Sequence, residues 1–115
     1  MARQIIFHDN HFLDFYVPLT DKVKIKHSLE LVKQVDRVPK KFLAPITGYK
    51  GLFEVRAEYE SNIYRIFCCF DKGKLVILLN GFQKKTQKTP KKEIEKAMRL
   101  KQEYFDNKNK SYDRL

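Results

Sequence analysis

From Gln83 to Lys92 the sequence reads QKKTQKTPKK, with Lys84, Lys85, Lys88, Lys91 and Lys92 and no carboxylate. It continues directly from an apolar run, Leu75 to Leu79, through Asn80, Gly81 and Phe82. A rigid strand that delivers uncompensated ammonium groups to one edge of a fold makes an anion-binding edge, and phosphate is the anion it suits best. Two upstream arginines, Arg56 in LFEVRAEY and Arg65 in NIYRIFCCF, extend that edge into a candidate pocket. Cations at a helix start also oppose the macrodipole, so Lys91 and Lys92 are unfavourable unless an anion bridges them to the free N–H groups. The plainer alternative for a lysine run is a solvated face.

Arginine and lysine clusters can be catalytic toward RNA. When the ribose 2′-hydroxyl attacks its own phosphate, the reaction passes through a crowded phosphorane carrying extra negative charge. Prepositioned guanidinium and ammonium groups stabilise that charge without a metal, because the substrate supplies the nucleophile. Other chemistries lack their residues: there is no glycine-rich phosphate loop, no paired-carboxylate signature and no nucleophilic serine elbow. His8, His11 and His27 have no Cys, Asp or Glu partner at metal or triad spacing. No metal and no organic cofactor is expected.

How the arginines meet depends on the elements that carry them. Phe53, Val55, Ala57 and Tyr59 alternate with Glu54, Arg56 and Glu58, the period of a strand. Ile63 to Phe70 is apolar on both faces except at Arg65, as in a central strand. If Glu60 and Ser61 form the loop between these strands, Arg56 lies opposite Arg65, and an anion would explain the facing like charges. If the loop is Ser61 and Asn62, Arg65 faces Glu58 in a plain salt bridge. Both registers stay open. Upstream, Gln4 to Phe7 reads as a short strand and Asn10 to Tyr16 as one or two helical turns. Ile25, Leu29, Val32 and Val35 recur at helical spacing after a cap at Thr20 or Asp21. The stretch KKFLAPITGYKG reads as a loop. Thr89 and Pro90 open a last helix, with Pro90 at its first position. Ile94, Ala97, Met98, Leu100, Tyr104 and Phe105 give that helix its apolar stripe.

The architecture is therefore α+β, with an N-terminal strand and two helices packed on an antiparallel sheet and a C-terminal helix beside the basic edge. One domain, residues 1–107, accounts for the 115-residue chain, with a frayed polar tail at 108–115. A net charge of +10 with 43% apolar residues points to a folded protein with a polyanionic partner. The sequence MARQIIFHDN is not a secretory signal, and no run approaches the roughly 20 apolar residues of a membrane span. Adjacent Cys68 and Cys69 point to opposite faces of their strand and read as packed thiols in a reducing cytoplasm.

With those elements in place, the segments GYKGLFEVR (48–56), YRIFCCF (64–70) and VILLNGFQKKTQKTP (76–90), followed by EIEKA, resemble the RelE/ParE toxin superfamily. The resemblance is strongest to its phage-derived, HigB-like branch and covers about residues 3–107. It implies a toxin of a type II toxin–antitoxin module that cuts messenger RNA on the ribosome. The implied partners are the ribosome, mRNA and a HigA-like helix-turn-helix antitoxin; the free toxin is expected to be a monomer without a membrane role. By the same resemblance Arg65 holds the scissile phosphate, Lys85 stabilises the transition state or leaving group, and Arg56 joins them. Lys50, Lys84, Lys88, Lys91 and Lys92 contact RNA. The chain departs from some relatives in lacking a tyrosine or histidine near Lys88 to Lys92. It also carries Phe53 and Glu54 where others place lysines. Glu54 is a partner for Arg56 or a general base. A ParE-like gyrase inhibitor and a degenerate phage-derived protein that binds nucleic acid or antitoxin are the alternative functions.

Overall fold

Eight elements follow one another: β1 (Gln4–Phe7), α1 (His11–Tyr16), α2 (Val23–Gln34), β2 (Leu43–Pro45), β3 (Phe53–Tyr59), β4 (Asn62–Asp71), β5 (Leu75–Lys84) and α3 (Lys91–Asp113). They come from a computed structural model that describes residues 2–85 and 88–113, with side chains to 108. The expected tail at 108–115 falls almost entirely on residues whose side chains, or whole placement, lie outside that range.

The strands form one five-stranded sheet in the order β1-β5-β4-β3-β2. β2 to β5 pair antiparallel, whereas β1 runs parallel to β5 and makes the sheet mixed. β2 lies inside the stretch read as a loop: three residues ending at Pro45 give no alternation to detect, and their pairing with Phe53–Val55 defines the strand. α2 begins after Lys22, whose carbonyl accepts from the Lys26 N–H at 2.9 Å, and no side chain caps it. Val35 is already extended at its other end. The Arg3 guanidinium donates to the carbonyls of Val32, Val35 and Asp36 at 2.7 Å each, satisfying the groups a helix end leaves unpaired.

Both faces of the sheet are covered. Val55, Ala57, Ile66, Cys68, Val76 and Leu78 pack toward α1 and α2, meeting Phe12, Ile25 and Val32. Phe67, Cys69, Ile77 and Leu79 pack toward α3, meeting Ile94, Ala97 and Leu100. This is why β4 reads as unbroken apolar sequence: Tyr64 to Cys69 are all buried, on alternating sides. Burial raises both thiols, Cys69 to about 11 and Cys68 well above the ordinary cysteine range. No described helix is long and apolar enough to cross a membrane.

At Gly81 the missing side chain is what allows α1 to approach. A β-carbon there would sit 2.4 Å from Phe15 Cδ2, and the aromatic ring lies flat against the strand. Gly81→Ala is therefore expected to destabilise the fold by about 1–3 kcal/mol. Urea denaturation checks this, and trimming the ring as well (Phe15→Leu) should recover part of the loss.

Candidate phosphate and RNA site

The turn between β3 and β4 fixes the register left open above. Tyr59 pairs with Asn62, so Glu60 and Ser61 form the loop and Arg56 lies directly opposite Arg65. Glu60 takes a left-handed φ of 55°, as the first position of a two-residue hairpin loop requires. Facing like charges cost a sheet up to about 1 kcal/mol. Here the conflict is met from within the same face. Glu54, two residues before Arg56, accepts from the Arg56 Nε at 2.8 Å, and its same oxygen, Oε2, lies 3.7 Å from the Arg65 Nε. One carboxylate thus serves two guanidinium groups, which leaves the trio with a net positive charge.

Arg65 is only 7% exposed and Glu54 only 4%, whereas the Arg56 side chain is half-exposed. Burial lowers the Arg65 pKa from its ordinary value; Glu54 counteracts that shift and Arg56 adds to it. The Arg65 Nη1 donates to the Tyr64 carbonyl at 3.0 Å, but its buried Nε has no hydrogen-bond partner. Glu54 Oε1 and Asn80 Oδ1 share that condition, and they are the only other buried side-chain polar atoms among the described residues to do so. Each such atom carries a penalty of about 1–3 kcal/mol. Arg65 and Glu54 project from the sheet face that α3 covers, beside Phe67 and Phe82.

Asn80 reaches that face by an irregularity in β5. Ile66 pairs with Gly81 but Cys68 pairs with Leu78, so Phe67 faces two residues, Leu79 and Asn80. The extra residue is a β-bulge, and it turns Asn80 to the α3 side. There the Asn80 Nδ2 donates to the Glu93 carbonyl at 3.2 Å and to Glu93 Oε1 at 3.0 Å, tying the first turn of α3 to the sheet. The helix begins one position later than expected: the Ile94 N–H bonds to the Pro90 carbonyl, so Pro90 is the cap and Lys91 the first helical residue. Past the bulge, Phe82 stands opposite Arg65 and Lys84 opposite Ile63. Lys84 therefore lies on the Arg65 face, one pleat repeat further out. The Phe67 and Phe82 rings, 5.5 Å apart, form an apolar floor under these groups.

The structure brings Arg56, Arg65 and Glu54 into contact and sets half-buried Lys84 beside them. Lys85, Lys88, Lys91 and Lys92 are exposed along the segment leading into α3; Thr86 and Gln87, between them, lie outside the described residues. Lys50 is exposed on the turn before β3, against which the α3 side chain Lys101 packs at Gly51. The contact between His8 and Glu103 has no local sequence signal. Glu103 reaches across 95 positions to His8 at 2.7 Å, which lowers the Glu103 pKa below the usual carboxylate range. With Asp9 these two form a His–Asp–Glu group that could hold a metal ion; the His8–Glu103 hydrogen bond accounts for the pair without one. Asn80 was visible only as a polar residue inside an apolar run.

A family model described as Phage derived protein Gp49-like matches residues 16–102, a span containing Arg56, Arg65 and every lysine from Lys84 to Lys92. No curated protein matches the chain.

Removing the shared carboxylate should strand two cations. Glu54→Ala is expected to cost about 3–5 kcal/mol, the range seen when one partner of a buried ion pair is removed. Adding Arg65→Ala should restore a large part of that loss. A double-mutant cycle in urea would contradict the assignment if the two losses simply added.

Proposed function

The chain belongs to the phage-derived Gp49-like family, and from that premise we propose that it is a toxin of a type II toxin–antitoxin module that cleaves messenger RNA on the ribosome. The family is a RelE-like toxin family, which supports the toxin reading. The observation that carries the nuclease reading is the buried guanidinium of Arg65, with an Nε donor that no protein group accepts. The Nε is closed to solvent, so a backbone phosphate would have to part the side chains over it to supply the missing acceptor and charge.

In this mechanism Arg65 and Arg56 bracket the non-bridging phosphate oxygens. Their grip tightens as the 2′-oxygen adds and the phosphorane gains charge, so it acts mainly on the transition state. Glu54 holds both guanidinium groups in one orientation, which removes the need to reorganise them during the reaction. Lys84, on the same face, contacts the backbone. As the O2′–P bond forms and the P–O5′ bond breaks, the 2′-hydroxyl proton passes to water and the Lys85 ammonium, just beyond the strand, gives a proton to the departing 5′-oxygen. Lys50, Lys88, Lys91 and Lys92 steer and hold the flanking strand by their charge. The substrate provides the nucleophile, so the other residues named carry the reaction through charge and position.

The HigB-like assignment, the ribosome as the place of action, and a helix-turn-helix antitoxin belong to the same proposal. A net charge of +10 suits an rRNA-rich surface and equally an acidic antitoxin segment that covers the lysines. A free monomer in the cytoplasm is the state that would meet a translating ribosome.

The test is message cleavage in a reconstituted translation reaction, with and without ribosomes. The wild-type chain should cut only when ribosomes are present. Arg65→Ala with Lys85→Ala should lower the rate by about 10²-fold or more, the scale of losing one preorganised oxyanion donor. An intact message from folded wild-type protein would overturn the proposal.

A further inference from the structure

A groove of about 650 Å³ lies where β3 leaves the cover of β2, between α2 and the segment before β2. Its lining sorts by element. Lys24 and His27 come from α2, Lys41 and Phe42 from the segment before β2, and Glu58, Tyr59 and Glu60 from the end of β3. Arg56 also lines it, so one guanidinium borders both this groove and the Arg65 cluster.

We propose that this groove is a nucleotide subsite, which holds one guanine-bearing nucleotide of single-stranded RNA next to the Arg56–Arg65 phosphate site. Its volume falls in the range of about 300–1,000 Å³ typical of small-ligand pockets. Its lining carries charges of both signs. Among the described residues neither Lys24 nor Lys41 is in an ion pair, so both ammonium groups can meet a phosphate. The end of β3 adds the carboxylates of Glu58 and Glu60; neither is in a salt bridge among the described residues, though Glu58 acts at longer range on Arg65. A carboxylate only accepts hydrogen bonds. The guanine edge offers adjacent N1–H and N2–H donors, whereas uracil offers one N–H between two carbonyls that would face the carboxylates. Phe42 and Tyr59 add aromatic rings to the same lining. Tyr59 is 38% exposed, and Phe42 is held by His27 edge-on at 5.8 Å with Lys41 Nζ 5.7 Å from its centre. Aromatic platforms of this kind stack bases regardless of sequence.

An extended peptide fits this border less well. The Arg56 N–H already bonds to the Phe42 carbonyl at 2.8 Å, and the Arg56 carbonyl accepts from Ser28 Oγ at 2.7 Å. With those positions occupied, only the main chain around Glu58 faces outward, too little for an added strand.

The inference shares its substrate class with the nuclease reading but not its chemistry, and the two can fail separately. The experiment is a titration of the full-length chain with GMP, UMP and inorganic phosphate, followed by ¹H–¹⁵N NMR without ribosomes. GMP should shift resonances of Phe42 and Tyr59 and bind at least 5-fold tighter than UMP and 10-fold tighter than phosphate. Lys24→Ala with Lys41→Ala should weaken both nucleotides at least 5-fold. Glu58→Gln with Glu60→Gln should abolish the preference for GMP over UMP. Phosphate binding as tightly as GMP would reduce the groove to a plain anion site and overturn the proposal. So would an acidic peptide that binds tighter than GMP, or nucleotide shifts confined to the Arg65 face. Loss of cleavage with nucleotide binding intact would count against the nuclease reading alone.

Discussion

A guanidinium that is 7% exposed has lost most of its hydration, and in this chain the Glu54 carboxylate offsets that loss. Glu54 in turn needs Arg56, two residues along the same strand, to satisfy its Oε2. A one-residue slip of the β3–β4 hairpin is then excluded. Sliding it by one residue would turn Arg65 away from the carboxylate and into the α1 and α2 face, among Val55, Ala57 and Ile66. The charge trio and the double-sided burial of the sheet are therefore one constraint. Apolar residues on both faces hold β4 central, and the arginine on that central strand is placed where water cannot reach it easily.

The same face explains the irregularity of β5. A regular strand would direct Asn80 toward α1; the bulge turns it to α3, where it grips Glu93. That grip fixes the start of α3, and with it the place of Lys91 and Lys92 on the helix. On the opposite side of the bulge Gly81 leaves room for Phe15. Two adjacent residues thus serve the two layers, Gly81 seating α1 by the side chain it lacks and Asn80 seating α3 by the one it adds.

Much of this was legible in the sequence. Strand alternation in Phe53–Tyr59 and the apolar run around Cys68 and Cys69 identify two strands, and both remain within a residue or so of their positions in the fold. Lys84, Lys85 and the arginines were readable as cations at a strand edge. The register was not. Ser61 could start or end a turn, and the two registers differ by two residues, which leaves every side chain on the same face, so alternation does not separate them. β2 has no such signal, because three residues that include a proline carry no period. The parallel placement of β1, the Arg3 clamp on α2 and the His8–Glu103 pair all join distant positions, and no local pattern encodes them. Glu54 was visible as a neighbour of Arg56; that it serves Arg65 as well depends on the pairing.

The central claim is that Arg65 holds a donor in reserve for phosphate, and the ¹⁵N resonance of its Nε–H reports on that donor directly. The measurement is the shift of this signal when a 2′-O-methylated trinucleotide, which cannot be cut, is added to the free protein. The account predicts a downfield move of the Arg65 Nε–H as the new hydrogen bond forms, with a smaller response at Arg56, already bonded to Glu54. Perturbation of the lysine ammonium signals with Arg65 unmoved, at saturating trinucleotide, would contradict it and leave the chain a basic surface without a phosphate pocket.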